Sequence, residues 1–378
     1  MYSKLKILIA PDSFKESLTA TEVATAIAEG IRIIMPNAKL EQLPFSDGGE
    51  GAFELFSTLN LGRLIDCETQ DPLGRPIKAP YFGFNDGKTA WIELSQASGL
   101  ALLEPREQNP LKTSTYGTGL QLKHALENGY TQLTLGIGGS ATNDLGTGIF
   151  TALGGKLLDK KGTVLASNGA ALLKCMQLDL ENLNPMLADA VITVACDVTN
   201  PLLGHTGAAH TYAAQKGASA KDIDHLEKGA GHLAQIIERK TGCAITTVPG
   251  GGAAGGTAAG MYGLFNSPLK PGFELLSTLT SLEEKIKTAD LIITGEGKTD
   301  NQSQYGKVPF KLAELAKKHH KPLLLFAGSI SASPEVLKAA GIKAAYAIKT
   351  PSMDLEYAKT HAYTLLKNAV ATNLKNHI

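Results

Sequence analysis

Short apolar runs alternate along this chain with longer stretches in which apolar positions return every three or four residues. Runs of the first kind read as buried strands, and stretches of the second kind as amphipathic helices. Leu5–Ala10 is such a strand, Ala20–Met35 a helix, Lys39–Leu43 a short strand and Glu50–Leu59 a further helix. Thr19 stands where it can cap the first helix, and Glu22 three residues later completes a capping box. The C-terminal part keeps the same rhythm. Strand patterns at Leu291–Thr294, Leu323–Ala327 and Ala344–Ile348 interleave with helical ones at Val308–Lys318, Pro334–Ala340 and Leu355–Asn376. Strands alternating with helices predict a parallel, doubly wound sheet.

The middle of the chain reads differently. Asp71–Arg75 is a turn signal, Lys78–Phe84 and Lys88–Leu94 read as antiparallel neighbours, and glycine breaks crowd positions 136–155 and 250–263. With 378 residues the chain is long enough for two domains of ordinary size. The expected fold class is therefore α/β with a discontinuous layout. Residues 1–66 and 284–378 form a Rossmann- or flavodoxin-like domain, and 67–283 an inserted mixed α/β domain, with the active site in the cleft between them.

Composition narrows the partners. Apolar residues make up 43% of the chain, and 36 basic residues balance 36 acidic ones. Nucleic-acid and membrane-surface binding usually leave a basic excess, so neither is expected. No stretch approaches the roughly 18 consecutive apolar residues of a membrane span, and no signal-peptide pattern precedes Leu5. Cys67, Cys175, Cys196 and Cys243 form no CxxC pair. Reduced thiols in a cytoplasmic protein are expected, not a zinc site. A homo-oligomer is compatible with all of this.

The chemistry-bearing residues gather at strand ends. The first strand pattern ends in Ala-Pro-Asp-Ser-Phe-Lys-Glu-Ser (Ala10–Ser17), the second in Ser-Asp-Gly-Gly-Glu-Gly (Ser46–Gly51). In an open parallel sheet, ligands bind beyond the carboxyl ends of the strands. Residues 135–148 break from an apolar run into glycines, hydroxyls, an amide and an acid, then resume as a helix. Such a loop suits an oxyanion, because glycines free backbone N–H groups and a helix N-terminus adds a positive dipole end. It also reads as a tight strand-to-helix turn capped by Asn143 or Asp144. Further strand ends carry Glu93 and Ser95, Asp197 and Asn200, the tract Gly250–Gly256, and Thr294–Asp300. Glycine, at 40 residues, exceeds the usual share of about 7%.

Gly-x-Ser-x-Gly and the GxxxxGK[ST] loop are absent, and no GxGxxG follows the first strand. Hydrolase, P-loop and dinucleotide readings are weakened accordingly. Aspartates, lysines and backbone N–H loops supply what phosphoryl transfer needs, pointing to an enzyme that handles phosphate or a magnesium nucleotide together with a small polar substrate.

Seven segments in order, among them Ala-Pro-Asp-Ser-Phe-Lys-Glu-Ser, Asp-Gly-Gly-Glu-Gly, Gly-Ile-Gly-Gly-Ser-Ala-Thr-Asn-Asp, Ala-Cys-Asp-Val-Thr-Asn-Pro-Leu, Gln-Lys-Gly-Ala and Thr-Gly-Glu-Gly-Lys-Thr-Asp-Asn-Gln-Ser, resemble the bacterial glycerate kinase type 1 family. The resemblance runs from residue 5 to about 350. Departures are Leu120 where relatives often carry Glu, Leu145 within Asp-Leu-Gly, and Ala214 ahead of Gln-Lys-Gly. The resemblance implies ATP-dependent phosphorylation of D-glycerate with Mg²⁺, leaning toward the 2-phosphate. The alternatives are a kinase for a related sugar acid, or a non-catalytic sensor of a nucleotide or hydroxy acid.

On that basis Asp197 and Asp47 are expected to bind metal or orient the hydroxyl. Lys15 and Lys307 are expected to neutralise the transferring phosphate, and Asp12 or Asp300 to hold Mg²⁺. Gly138, Gly139, Ser140, Thr142 and Asn143, with Gly251, Gly252, Gly255 and Gly256, are expected to receive phosphate or the glycerate carboxylate. Ser13, Gly48, Gly49, Asn200 and Glu296 are expected to join them. Arg75 is a further carboxylate candidate through bidentate pairing, or a turn-surface arginine.

Overall fold

A computed structural model describes residues 5–45, 51–304 and 306–378. In chain order the strands begin with β1 (Lys6–Ile9), β2 (Lys39–Gln42), β3 (Gly62–Gln70), β4 (Pro76–Phe84), β5 (Thr89–Glu93) and β6 (Gln132–Gly136). They continue with β7 (Lys156–Leu158), β8 (Gln177–Asp179), β9 (Val191–Ala195), β10 (Leu269–Lys270), β11 (Leu291–Thr299), β12 (Leu323–Ile330) and β13 (Ile342–Ala347). The described residues fall into two compact units, one made of 5–45, 51–60 and 273–378 and the other of 61–272.

The first unit holds a parallel five-stranded sheet in the order β13-β12-β11-β1-β2. Ile7, Ile9, Ile293 and Phe326 share a buried cluster with Val23, Ile27 and Ile31 of the helix Ala20–Ile34 and with Leu366 and Val370 of the helix Ala362–Asn373. The alternating residues Leu8, Ile292 and Leu325 are also fully buried. Both faces of the sheet are therefore covered, which is why these strands read as continuous apolar runs. The helix Ala20–Ile34 starts on the expected capping box. The Glu22 N–H donates to Thr19 Oγ1 (3.2 Å), and the Thr19 N–H donates to Glu22 Oε2 (2.8 Å).

Two expectations change here. Residues 295–299 and 328–329, read as loops, are strand, because β11 and β12 keep pairing as far as Lys298–Ser329 and Thr299–Ile330. The glycines permit this close approach, since a Cβ on Gly328 would lie 2.3 Å from the Gly297 carbonyl oxygen. The single helix expected over Leu355–Asn376 is interrupted at His361, giving Leu355–Thr360 and Ala362–Asn373.

The second unit holds a mixed six-stranded sheet in the order β10-β9-β6-β5-β4-β3. β10, β9, β6 and β5 are parallel, and β4 and β3 are antiparallel additions. The expected β4–β5 hairpin is present, with Phe82 opposite Trp91. β3 has no counterpart in the hydropathy pattern, yet it pairs with β4 along its whole length, from Gly62–Phe84 to Gln70–Pro76. As an edge strand it exposes Arg63, Asp66 and Glu68, a polar dressing that hides a strand from periodicity while protecting the sheet edge. The helix Ala220–Thr241, which starts on a Ser219/Asp222 capping box, packs Leu233 and Ile237 into a cluster with Leu172 and Leu178. Among the described residues no helix is long and apolar enough to cross a membrane.

Candidate functional site

In the first unit the chain leaves β1 for β2 on one side, and β11 pairs with β1 on the other. Strand order reverses between β1 and β11, and in open α/β sheets the ligand crevice lies beyond the carboxyl ends at such a point. The segment after β1 stays bound to β11: the Ala10 N–H donates to the Ile293 carbonyl (2.9 Å) and the Asp12 N–H to that of Gly295 (2.8 Å). A cavity of about 630 Å³ opens here, within the roughly 300–1,000 Å³ usual for small-molecule sites.

Asp12, Ser13 and Lys15 line the cavity from β1, Glu296 and Lys298 from β11, and Lys307, Ser329, Lys349 and Lys359 from further along the chain. Phe14, Ile348 and Leu355 give it an apolar side. Five of the lining residues are lysines and three are acids, namely Asp12, Glu16 and Glu296. Lys359 pairs with Glu16 (2.7 Å) and Lys307 with Glu296 (3.0 Å). Lys15 and Lys349 have no carboxylate partner among the described residues. Burial pushes the Glu296 carboxyl up, against hydrogen bonds from Thr299 and Lys307. Two unpaired lysines around an open cavity, with a buried carboxyl beside them, suit a ligand carrying several negative charges.

In the second unit the parallel strands β5, β6 and β9 end together at Glu93, Gly136 and Ala195. The loop after β6 is the glycine-rich stretch singled out above. Gly138 and Gly139 reach solvent and Ser140 is 9% exposed, while residues 141–150 are all buried. The loop is tied down on several sides. The Leu100 N–H donates to the Gly139 carbonyl (2.8 Å), the Ala141 N–H to that of Ser98 (2.9 Å), and Thr113 Oγ1 to the Ala141 carbonyl (2.8 Å). Lys216 Nζ donates to Ser140 Oγ (2.7 Å) and to the Thr142 carbonyl (2.7 Å). Burial pushes this ammonium down to about 7, against the pull of Asp144.

Asp144 is the anchor of the helix Thr147–Ala152. It accepts from the Thr115 N–H (2.8 Å), Thr115 Oγ1 (2.8 Å), the Gly146 N–H (3.1 Å) and the Gly148 N–H (3.2 Å). Burial pushes its carboxyl up, against those donors. The capping reading thus holds for Asp144. It does not extend to Asn143, whose side-chain nitrogen and oxygen are both buried without a partner, as is Thr142 Oγ1.

The remaining candidates separate into three groups. Asp47, Gly48 and Gly49 lie outside the described residues. Asp12, Ser13, Lys15, Glu296 and Lys307 come together in the cavity. Gly138, Gly139, Ser140, Thr142 and Asn143 share one loop, and Asp197, which accepts from the Gly272 N–H (2.9 Å), sits one residue beyond Cys196 at the end of β9.

Several candidates are committed elsewhere. Arg75 pairs with Asp71 of its own turn and with Glu107 (2.7 Å) 32 residues further on, so its charge is already met within the protein. Asp300 accepts from the Gln302 and Ser303 N–H groups (3.0 and 3.1 Å) and faces Lys298 (3.4 Å), which holds it as a turn residue. Asn200 spends its amide on the Thr206 carbonyl (2.8 Å) and the Tyr212 hydroxyl (2.8 Å). In the second glycine tract, a Cβ on Gly252 would lie 2.2 Å from the Pro201 carbonyl oxygen, and one on Gly255 would lie 2.1 Å from that of Thr142. These glycines let chain segments touch, and Gly251, Gly252, Gly255 and Gly256 are all buried.

Sequence reasoning passed over Lys216, Lys349 and Lys359. Lys216 stood in the Gln-Lys-Gly segment, but nothing local to that segment announces a contact with residue 140.

The profile of the family described as the glycerate kinase family matches residues 7–377. The chain is 44% identical to glycerate 2-kinase of Escherichia coli K12 over 359 residues, covering 95% of this chain and 94% of that one. It is 42% identical to a glycerate kinase of Halalkalibacterium halodurans, covering 96% of each. A crystal structure of a candidate glycerate kinase 2 from Salmonella typhimurium LT2 superposes with a TM-score of 0.88 at 39% identity, covering 99% of this chain and 98% of that one.

Proposed function

This chain belongs to the glycerate kinase family, and from that premise we propose that it transfers the γ-phosphoryl group of ATP to a hydroxyl of D-glycerate. The 2-hydroxyl is the favoured acceptor, by similarity to the relative named glycerate 2-kinase. The observation that carries the reading is the lysine-lined cavity at the β1/β11 reversal. A triphosphate needs several cations, and Lys15 and Lys349 stand there without carboxylate partners among the described residues. The strand order β2-β1-β11-β12-β13 follows the flavodoxin-like pattern 2-1-3-4-5, which binds a phosphate-bearing ligand at the equivalent reversal.

In this scheme Lys15 and Lys307 offset charge on the phosphoryl group in transfer, and Ser13 hydrogen-bonds a phosphate oxygen. Glu296 sets the position of Lys307. Asp197 orients the acceptor hydroxyl, a role Asp47 shares. Magnesium bound by a nucleotide usually takes one or two protein carboxylates, its other ligands being phosphate and water. Among the described residues no three metal-ligating side chains cluster, and Asp12 on the cavity wall fits the smaller requirement. Asp12 would hold the ion, whose charge would stabilise the phosphates during transfer. Asp300 fits less well, because its Oδ1 serves the 300–303 turn and its Oδ2 faces Lys298.

The test is coupled detection of ADP with D-glycerate, L-glycerate and four-carbon sugar acids, followed by phosphorus NMR of the product. ADP release that depends on D-glycerate, with 2-phosphoglycerate formed, is the expected result. Preferential turnover of a longer acid would reassign the substrate. Nucleotide binding with no turnover of any acid would leave a sensor.

A further inference from the structure

Lys216 has no role in the scheme above, yet it is the buried lysine of the described residues, 2% exposed. It lies in the 3₁₀ turn Ala214–Lys216, which is locked by Gly217 (φ +92°), where a Cβ would meet the Gln108 carbonyl oxygen at 2.1 Å. Burying an ammonium costs several kcal/mol unless it is paired. Asp144 supplies opposite charge nearby, but its oxygens are taken by four other donors. A methionine would fill the same space without the electrostatic cost, so the cation is held for what it contacts.

Its contacts are Ser140 Oγ and the Thr142 carbonyl, both at 2.7 Å. By donating to Ser140 Oγ, Lys216 occupies a lone pair and leaves the serine proton with no acceptor among the described residues. Ser140 adjoins Gly138 and Gly139, the part of the loop that reaches solvent. The same segment carries polar capacity that the described residues do not satisfy, in Thr142 Oγ1 and the Asn143 amide.

We propose that Lys216 is the positioning residue of the acid subsite, fixing Ser140 so that its hydroxyl donates to the carboxylate of the small hydroxy acid. A single buried lysine beneath a hydroxyl, drawn toward its charged form by a bound carboxylate, matches a monoanion, whereas the five-lysine cavity of the other unit matches a polyphosphate. This assignment rests on the kinase reading, because it takes the hydroxy acid as one of the two substrates.

The test is calorimetric titration of the full chain with D-glycerate and separately with ATP, together with steady-state kinetics. Wild type is compared with Lys216→Met, Ser140→Ala and the double variant. Acid affinity is expected to fall at least tenfold in each single variant, while ATP affinity stays within twofold. The double variant is expected to bind the acid no more weakly than the worse single one, since both substitutions remove the same contact. Lys216→Cys treated with 2-bromoethylamine regains a side-chain amine of near-lysine length, and is expected to recover acid binding. Should Lys216→Met fail to fold, Ser140→Ala decides alone: retained acid affinity overturns the proposal. Fully additive losses, or a loss of ATP affinity in place of acid affinity, also overturn it. Wild-type turnover with unchanged acid binding in the variants refutes only the subsite. Acid binding that the variants lose, without turnover in wild type, refutes only the kinase reading. Neither binding nor turnover in wild type refutes both.

Discussion

Replacing Gly255 by alanine puts a methyl group where two loops of the second unit meet. Gly255 has φ +65°, and a Cβ there would lie 2.1 Å from the Thr142 carbonyl oxygen and 2.5 Å from the Asn143 Cα. Both neighbours are backbone, so neither can rotate away. The left-handed conformation alone costs a non-glycine residue roughly 1–2 kcal/mol, and overpacking adds about 1–3 kcal/mol. The total is about 2–5 kcal/mol. Gly129 separates the two contributions, because its φ is +87° with nothing within 4 Å of a built Cβ. Gly129→Ala should therefore show only the conformational cost. Scanning calorimetry reads the difference, at roughly 2–4 °C per kcal/mol for a unit of this size. Gly255→Ala is expected to melt about 2–12 °C below Gly129→Ala. It should also raise KM for the acid, since Thr142 and Asn143 are displaced. A Gly255→Ala protein that melts no lower than Gly129→Ala would show that the loops do not meet as described.

In the first unit, Lys15→Ala or Lys349→Ala should lower kcat/KM for ATP by about 10- to 100-fold, the worth of a charge-assisted hydrogen bond, with the KM for D-glycerate within twofold; an unchanged kcat/KM for ATP, or a KM for D-glycerate that rises as much as that for ATP, would refute the cavity assignment. Asp144→Asn places an N–H₂ group among four donors, and should cost roughly 2–4 kcal/mol of stability in a thermal melt. A pH effect follows from Lys216, which stays charged up to about 10.5 when unfolded but only below about 7 when buried. Between those values the unfolded chain holds the extra proton, so this residue's penalty on folding shrinks as pH rises, by at most about 1.4 kcal/mol per pH unit. The stability of wild type relative to Lys216→Met should therefore increase from pH 7 toward pH 10, and a flat difference in urea unfolding would contradict the burial of Lys216.

The sequence by itself determined what depends on neighbours in the chain. Apolar runs specified β1 and the starts of β11 and β12, because a strand covered on both faces must be apolar throughout. Thr19 and Glu22 specified where the first helix begins, because a cap acts within four residues. The ordered motifs specified the family, and with it the chemistry. Tertiary structure decided everything that joins distant positions. Strand β3 is visible only through its pairing with β4, since Arg63, Asp66 and Glu68 are exposed along it and only Ile65 and Cys67 join the apolar core. The glycines of 250–256 read as an anion cradle in the sequence, and only the packing shows that Gly252 and Gly255 also let their segment approach the Pro201 and Thr142 carbonyls. Arg75, Asn200 and Asp300 had suitable chemistry but are held by partners that spacing does not reveal. Lys216 acquired its place from a contact 76 residues away. A charged side chain reads as surface in a sequence, and only the packing around it turns it into a buried cation with a task.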